Sequence, residues 1–581
     1  MSGTQRWTCP ESSPWPARVL AAVVALVVTG PALAPGFVLL RDMVFVPRQD
    51  LDADALGLGG TLPRAVPVDP AMALLTAVVP GDVVQKVVLL AVVFAAVLGA
   101  ARLVPADDDG RRGVAGLAAG LVYGWNPYVA ERLLIGHWSL LVGYAALPWI
   151  ARHALRVRAG ERSALPALLL TVAAASLTPT GAVLGSGTAL VLIGRHRLLA
   201  VVGAVAVLAS PWVVAGALHP GGGGSDVAGV AAFAARGENW GGPVVAVLGG
   251  GGLWNGDAVP GSRGTALVPV LTALLLALAV AGWRAADAWR DRAGSRLLLL
   301  GGAGLLLAVA GTVPGLRQLL ELTVDVVPGA GLLRDAQKWA AWWVLPLALG
   351  AGLGVRRLGR WLGARVGDAG AVPVTGAALL LPVLAVPDLA WGVAGRLEPV
   401  SYPAAWQEVR EALEEDDRPG DVLVLPFGAY RAFDWNDRRP QLDPAPRWLP
   451  RPAVVDDTLV VGGRAVEGED PRARAAGAAS ADPERLAALG IGWVLVEHGT
   501  PGPDTPGAVG GLPVVVDAPE LTLHRVPGVP GEHDVPLFRV IAVVVAHACA
   551  LGLVGAAVLC MIARASTVPL RRTPSRKRDL E

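Results

Sequence analysis

Long apolar runs, separated by short segments rich in arginine, glycine or proline, set the pattern along this chain. A run of about 20 apolar residues is long enough for a helix to cross the hydrocarbon core of a bilayer. The pattern therefore predicts a mainly α, polytopic membrane protein with about 12 transmembrane helices. The predicted spans lie near 17–40, 83–104, 113–130, 138–152, 164–178, 181–194, 198–217, 265–283, 297–313, 338–355, 372–395 and 537–562.

Two of these spans leave an alternative open. The tripeptide at 32–34, Ala-Leu-Ala, resembles a signal-peptide cleavage site, but the apolar run continues to Leu40 and further spans follow, which favours a retained signal-anchor. The short pair 164–178 and 181–194 is also compatible with one helix broken near Pro179. The apolar patch at 71–79 is too short to cross a bilayer, so we expect an interfacial helix there.

Basic residues indicate the orientation. The arginine-rich loops alternate with loops that hold few basic residues, and short cytoplasmic loops of membrane proteins carry the excess of arginine and lysine. This rule predicts cytoplasmic N- and C-termini, with residues 564–581 as a basic cytoplasmic tail. The use of arginine over lysine, with only three lysines in the chain, is typical of a GC-rich bacterial genome, so the expected location is a bacterial plasma membrane.

The pattern changes after residue 396. From 397 to 536, short β-prone runs such as 421–427, 453–461 and 491–498 alternate with short helical segments. This alternation predicts an extracytoplasmic α/β domain near the C-terminus. The predicted organisation is a membrane body at 1–396, this domain at 397–536 and a final span at 537–563.

Composition supports the membrane assignment and narrows the partners. Hydrophobic residues make up 53% of the chain and charged residues only 17%, which is outside the usual range of soluble proteins. The net charge of +1 conceals a basic membrane body and an acidic C-terminal domain, a distribution that does not indicate a nucleic-acid partner. No metal-ligand spacing is present, so the sequence gives no support for a divalent metal and no certain cofactor.

Candidate chemistry begins at the exit of the first apolar run, in the segment FVLLRDMVF. Asp42 follows Arg41 there, and Asp50 and Asp52 come shortly after. A carboxylate at the membrane–water boundary is suited to act as a general base that takes a proton from an acceptor hydroxyl. The alternative is a solvated loop whose charges only mark the interface.

A second cluster lies in the segment GWNPYVAERLLIGHW at 124–138. Asn126 and Glu131 are candidates to bind sugar hydroxyls, and Arg132 and His137 are candidates to lie near a phosphate. The alternative is an interfacial hairpin with an aromatic belt and a snorkelling arginine.

A third cluster lies in GAGLLRDAQKWAAWW at 329–343, just before a predicted span. If this segment is helical, Arg334 and Lys338 form an i,i+4 pair on one face, suited to bind a phosphate or diphosphate beside Asp335. The alternative is a pair of interfacial anchors with Asp335 as their counter-ion.

Together, the acidic first outer loop, the NPYVAERLLIGHW and RDAQKW segments and the outer C-terminal domain resemble the GT-C superfamily of integral-membrane glycosyltransferases. The layout is similar to that of actinobacterial arabinofuranosyl- and mannosyltransferases of the cell envelope. The resemblance implies a polyprenyl-phosphate sugar donor, an envelope glycan or glycolipid acceptor, and Asp42 as the catalytic base.

Two other functions stay open at this stage. A transporter or flippase of lipid-linked glycans would carry internal repeats and buried charges at mid-membrane, whereas the charges here cluster at span boundaries. A non-catalytic GT-C-like envelope assembly protein would instead use the outer domain to bind glycan. Aromatic residues of that domain are either sugar-stacking or core residues: Trp406, Tyr430, Trp435 and Trp448.

Overall fold

The computed structural model describes residues 7–8, 15–60, 63–219, 224–461, 463–468, 470–502, 509–531 and 535–566. The chain is mostly helical, with a small sheet region near its C-terminus. The helices before the sheet region are α1 Trp15–Thr29, α2 Val68–Thr76, α3 Gly81–Leu103, α4 Gly113–Gly124, α5 Pro127–Leu134, α6 Trp138–Arg158, α7 Leu165–Ala175, α8 Pro179–Ile193, α9 Leu198–Ala217, α10 Ala228–Ala232, α11 Gly242–Leu248, α12 Val268–Ala285, α13 Arg292–Ala310, α14 Pro314–Val326, α15 Ala340–Ala385 and α16 Ala390–Gly395.

Seven helical segments among the described residues are long and apolar enough to cross a membrane. They are Trp15–Leu33, Gly81–Leu103, Leu198–Ala217, Val268–Ala285, Arg292–Ala310, Ala336–Ala385 and Leu537–Arg564. Two shorter apolar helical segments, Arg162–Ala175 and Pro179–Ile193, fall in the region where one broken helix was the alternative. The chain is therefore a multi-pass membrane protein, while the count of about 12 spans stays a prediction.

Small residues allow the central helices of the membrane body to approach closely. A Cβ atom added at Gly352 of α15 would lie 2.3 Å from the carbonyl oxygen of Ala115 in α4. One added at Gly282 of α12 would lie 2.1 Å from the carbonyl oxygen of Gly350. Close backbone approach through glycine is a common way for membrane helices to pack, because apolar burial drives little association in lipid.

The predicted span at 372–395 is too long at its C-terminal end. The long helix α15 breaks at Gly367, where φ is +75°, and it ends at Ala385 before Pro387. The segment labelled α16 is a left-handed turn, because residues from Trp391 to Ala394 all have φ between +52° and +68°. Non-glycine residues adopt this conformation at a cost of about 1–2 kcal/mol each, so the surrounding contacts must fix this link to the outer region.

The C-terminal region contains the remaining elements and forms a five-stranded mixed sheet with helices on both faces. Strands β4, β1 and β7 are parallel, and β9 and β8 continue the sheet antiparallel. The elements are α17 Ala405–Glu415, β1 Asp421–Leu425, β2 Tyr430–Arg431, β3 Gln441–Leu442, α18 Ala445–Trp448, β4 Ala453–Val454, β5 Leu459–Val461, β6 Arg464–Val466, α19 Pro471–Ala478, α20 Pro483–Ala488, β7 Ile491–Glu497, β8 Val514–Asp517, β9 Leu521–Arg525 and α21 Leu537–Ser566, the last being the final candidate span.

Strand β1 shows why this sheet forms. Val422 and Val424 pack into the core under α17, whereas Leu423 and Leu425 pack into the core on the opposite face. A strand buried on both faces is apolar, as residues 422–425 (VLVL) are after the half-buried Asp421. The single strand predicted at 453–461 is wrong, because the chain leaves β4 after Val454 and forms β5, which pairs with β6 instead.

The loop predicted to be the first outer loop lies between the membrane body and this C-terminal region (residues 397–536), which is called here the outer lobe after its predicted orientation. Within the fully described stretch 37–46, every residue except Asp42 is buried. Backbone bridging joins Phe37 to Val400, and an ion pair of 3.2 Å joins Asp69 to Arg447. The alternative of a solvated loop is therefore wrong: the loop is a packed layer between two parts of the fold.

Gly136, between α5 and α6, permits a close backbone contact with this layer. Its φ is +85°, and a Cβ atom there would lie 2.2 Å from the backbone nitrogen of Met43. We expect Gly136→Ala to reduce the free energy of unfolding by roughly 1–3 kcal/mol, because it adds backbone strain and an overlap. Thermal unfolding in detergent, followed by tryptophan fluorescence, measures the change.

The control for this prediction is Gly302→Ala in α13, where an added Cβ atom has no neighbour within 4 Å. We expect this variant to be as stable as the parent or more so, since alanine is the better helix former. Equal destabilisation by both substitutions would contradict the role given to Gly136.

Candidate functional site

Asp42 lies at the tip of a tight turn. Leu40 and Met43 exchange backbone hydrogen bonds of 3.2 and 2.9 Å, so Arg41 and Asp42 occupy the two central positions. Arg41 has φ of +49°, and the backbone N–H of Asp42 donates to the carbonyl of Ile135 at 3.1 Å. The turn therefore fixes the direction of the Asp42 side chain toward the α5–α6 connection.

A chain of hydrogen bonds leads from Asp42 into the protein. Asp42 Oδ2 lies 2.8 Å from His137 Nε2, and His137 Nδ1 lies 2.7 Å from a guanidinium nitrogen of Arg132. A guanidinium group can only donate, so Nδ1 must accept and the proton of a neutral imidazole must lie on Nε2. His137 therefore donates its Nε2–H to Asp42 and fixes the orientation of the carboxylate.

The chain continues to a second carboxylate. Arg132 is fully buried and binds both oxygens of Asp335 at 3.3 and 3.4 Å, and Lys338 Nζ lies 3.2 Å from Asp335 Oδ2. The network thus joins three segments that are far apart in the sequence. Its most exposed side chains are those of Asp42, 31% exposed, and Lys338, 25% exposed.

The contacts determine the protonation of the network. Burial raises the pKa of Asp42, but the hydrogen bond from His137, with smaller contributions from the Tyr430 hydrogen bond and the charge of Lys338, brings it below its ordinary value. Burial lowers the pKa of His137 despite its contact with Asp42. Burial likewise raises the pKa of Asp335, but Arg132 and Lys338 more than offset it and leave it well below its usual range. At neutral pH the site thus holds two carboxylates and a neutral imidazole.

Tyr430 is the member of this site that the sequence did not predict. It lies on β2 of the outer lobe, and its hydroxyl donates a hydrogen bond to Asp42 Oδ1. In the sequence it was considered only as a sugar-stacking or core aromatic, because nothing in a local pattern relates it to a residue 388 positions earlier. Because of this contact, the site contains residues from both the membrane body and the lobe.

Two predicted substrate-binding residues, Asn126 and Glu131, lie behind the site, and their polar groups form hydrogen bonds within the protein. Asn126 caps α5 by accepting from the backbone N–H of Val129, and its amide donates to the Tyr144 hydroxyl and two backbone carbonyls. Glu131 Oε2 accepts from the N–H of Leu253 at 3.0 Å and from Gln337 at 3.2 Å. Both side chains are buried, and these contacts tie neighbouring loops together.

The carboxyl group of Glu131 also lies close to that of Glu238. Burial, followed by the proximity of Glu238, raises its pKa well above the ordinary value. Glu238 in turn forms a buried ion pair of 2.7 Å with Arg263. Through its hydrogen bonds, the buried Glu131 carboxyl group stabilises the packing of α5 against the loop that contains Leu253.

The predicted helical pairing of Arg334 with Lys338 is wrong. Two short 3-10 turns, Ala330–Leu333 and Ala336–Trp339, form in place of one α-helix, and Asp335 between them is extended. As a result the Arg334 guanidinium lies over the ring of Phe233 at 5.3 Å, whereas Lys338 pairs with Asp335. The glycine-rich, proline-preceded sequence VPGAGLL explains the break, since glycine disfavours a helix interior.

The other acidic residues of the first cluster have partners within the protein. Asp50 forms an ion pair with Arg410 of the lobe, and Asp52 accepts from the N–H of Ala55 at 2.7 Å. Trp406 and Trp448 are buried in the lobe core, as the core alternative predicted. Among the described residues, no group of three or more His, Cys, Asp or Glu side chains is arranged to hold a metal ion.

No protein-family model and no curated protein matches the chain. Its fold is similar to that of arabinofuranosyltransferase AftD from Mycobacteria, solved by cryo-electron microscopy, with a TM-score of 0.57 and 20% sequence identity over 91% of this chain. A structure of a mutant form of AftD gives 0.52 and 19% over 90%. The predicted resemblance to actinobacterial GT-C-type membrane glycosyltransferases is thus confirmed for the fold. The chain spans 41% and 42% of those proteins.

The buried pair between Arg132 and Asp335 should behave as a coupled unit. We expect Arg132→Met to cost roughly 3–5 kcal/mol of stability, because it leaves the Asp335 carboxylate without its principal partner. Asp335→Asn in the same chain should recover part of that loss. A double-mutant cycle on the free energy of unfolding in detergent measures the coupling.

The matched control is the exposed pair of Asp287 and Arg290, whose side chains are 70% and 68% exposed at 3.6 Å. Exposed pairs couple by about 0–1 kcal/mol, so the cycle of Asp287→Asn and Arg290→Met should be nearly additive. Additive losses at Arg132 and Asp335 as well would rule out the coupled network.

Proposed function

We propose that this chain is a membrane glycosyltransferase that moves a sugar from a polyprenyl-phosphate donor to an envelope glycan or glycolipid at the outer face of the membrane. The observation that carries the proposal is the network of Asp42, His137, Arg132, Asp335 and Lys338, which combines an oriented carboxylate with a nearby cation. The fold similarity to an arabinofuranosyltransferase supports arabinofuranose as the first donor sugar to test.

In this proposal Asp42 is the general base. His137 holds one carboxylate oxygen, and the lowered pKa keeps the group ionised at neutral pH. The acceptor hydroxyl transfers its proton to Asp42 while its oxygen forms a bond to the anomeric carbon. The bond from that carbon to the phosphate oxygen breaks, and polyprenyl phosphate leaves with the electron pair. A single base opposite the leaving group produces an inverted product.

Lys338 is proposed to contact the leaving phosphate. Its ammonium group is partly exposed and lies on the same network as Asp42. A cation that meets the developing negative charge on the phosphate lowers the energy of the transition state. Arg132 is fully buried, so its proposed role is to hold His137 and Asp335 in place. Asn126 and Glu131 are proposed as structural supports, and Arg334 is left out of the phosphate site.

The proposed arrangement has about 12 spans, with both termini in the cytoplasm and the outer lobe outside the cell. Residues 1–396 would form the membrane body, 397–536 the lobe, 537–563 the last span and 564–581 the cytoplasmic tail. The support is the alternation of arginine-rich loops and the position of Asp42 between body and lobe. A reagent that labels engineered cysteines only from outside the cell tests this orientation.

We expect Asp42→Asn to reduce transfer by about 10²–10⁴-fold, because the base is lost while the shape of the side chain is kept. The assay uses purified protein in proteoliposomes with radiolabelled polyprenyl-phosphate arabinofuranose and an arabinan acceptor. Asp52→Asn in the same loop is the control, since asparagine retains the turn contact to Ala55, and it should leave transfer unchanged.

Unchanged turnover in Asp42→Asn would remove Asp42 from the mechanism. A wild-type protein that catalyses no transfer with any polyprenyl-phosphate sugar, but moves the lipid across the vesicle, would favour the flippase alternative. Binding of glycan without either activity would favour the assembly protein.

Lys338→Gln should raise KM for the donor by about tenfold or more, since a charge-assisted contact to phosphate is lost. Lys338→Arg should restore much of it, because the positive charge is kept. The acceptor KM should be the same in all three proteins. A donor KM that is unaffected by Lys338→Gln would exclude Lys338 from the phosphate site.

A further inference from the structure

The contact between Tyr430 and Asp42 is the direct link between the lobe and the proposed base. The Tyr430 hydroxyl donates to Asp42 Oδ1, while His137 donates to Oδ2. The two oxygens of the carboxylate thus have different partners. The partner on Oδ2 belongs to the membrane body, and the partner on Oδ1 is a side chain of the lobe that is 38% exposed.

The position of Tyr430 is built into the fold. Strand β2 pairs with β3, and β3 is joined to the Asp42 turn by hydrogen bonds from Arg41 N–H to the carbonyl of Pro440 (2.6 Å) and from Leu442 N–H to the carbonyl of Arg41 (2.8 Å). Behind Tyr430, the buried Arg431 pairs with Asp443 at 2.7 Å and with Glu497. These contacts hold the β2–β3 backbone, so the free motion left to Tyr430 is rotation of its side chain.

The hydrogen bond from Tyr430 to Asp42 is of the same kind as the one that the acceptor must form in the proposed reaction. An acceptor hydroxyl must donate a hydrogen bond to Asp42 before it can lose its proton. Burial, and then the charge of Asp42, raise the pKa of Tyr430 well above its ordinary value, so its hydroxyl stays protonated and acts as a donor. It makes the same kind of contact as an acceptor hydroxyl would.

We propose that the Tyr430 hydroxyl occupies the subsite of the acceptor hydroxyl, and that the saccharide acceptor displaces it when it binds. The inference rests on the proposed function and adds to it the place of acceptor entry, on the lobe side of Asp42. The acceptor class is a saccharide with a free hydroxyl, and the displaced aromatic ring provides an apolar face beside it.

Displacement has a measurable consequence. The apparent affinity for the acceptor is reduced by the fraction of molecules in which Tyr430 leaves Oδ1 open. Tyr430→Phe removes the competing hydroxyl and keeps the ring. We expect the acceptor KM to fall about tenfold, the range of a hydrogen bond to a charged group, with the donor KM unchanged.

Tyr402→Phe is the matched control. Tyr402 also lies between the lobe and the first outer loop, and its hydroxyl donates to the carbonyl of Phe45 at 2.9 Å without contact to Asp42. This variant should keep the acceptor KM of the parent. A lower kcat with no fall in acceptor KM in Tyr430→Phe would overturn the proposal, since Tyr430 would then assist the base instead of competing with the acceptor.

A second measurement does not depend on turnover. Carbodiimide modification of Asp42 is followed by peptide mass mapping, with and without an oligoarabinoside. We expect faster modification in Tyr430→Phe than in the wild type, and protection by the oligosaccharide at a lower concentration. Equal modification and equal protection in both proteins would refute the subsite. If no protein transfers sugar but the protection pattern holds, the proposed function fails while the acceptor subsite stands.

Discussion

The structure depends on the pairing of charged side chains in a largely buried site, where few water molecules can solvate them. Asp42 and Asp335 are carboxylates in a largely buried setting, and each would be costly without a partner. His137 and Arg132 lie between them and satisfy both, and Lys338 adds a second cation to Asp335. Because these residues come from the first outer loop, the α5–α6 connection and the segment before α15, their pairing fixes three parts of the membrane body relative to one another.

The small number of charged residues in this apolar chain explains what the sequence could predict. A charged residue at the end of an apolar run needs a partner, and in a chain with few charges the possible partners are few. Asp42 was identified in the sequence as a candidate base, and Arg132, His137, Asp335 and Lys338 as candidate substrate-binding residues. The structure brings all five into one network. The network itself was not predicted, because the order of contacts depends on the packing of helices far apart in the sequence. Their chemical roles stay predictions.

Other features of the site depend on contacts that local spacing in the sequence does not show. Arg334 was assigned to a helix face on its spacing alone, but the glycines before it favour short turns, and its side chain packs on Phe233. Asn126 and Glu131 are polar residues near the site, and sequence position does not tell whether such a group faces substrate or caps a helix. Tyr430 could not be found, because its relation to Asp42 arises from strand pairing in the lobe and the docking of β3 on Arg41.

The lobe is best understood as an integral part of the fold and not as an appended module. The similarity to AftD extends over 91% of the chain, so the unmatched part is shorter than the region 397–536 and most of the lobe lies within the shared fold. A module that only captured glycan would have no need to contact Asp42. In this chain the first outer loop is packed beneath the lobe, and the lobe supplies a hydroxyl to the carboxylate. A change in the lobe near β2 therefore alters the environment of Asp42 directly.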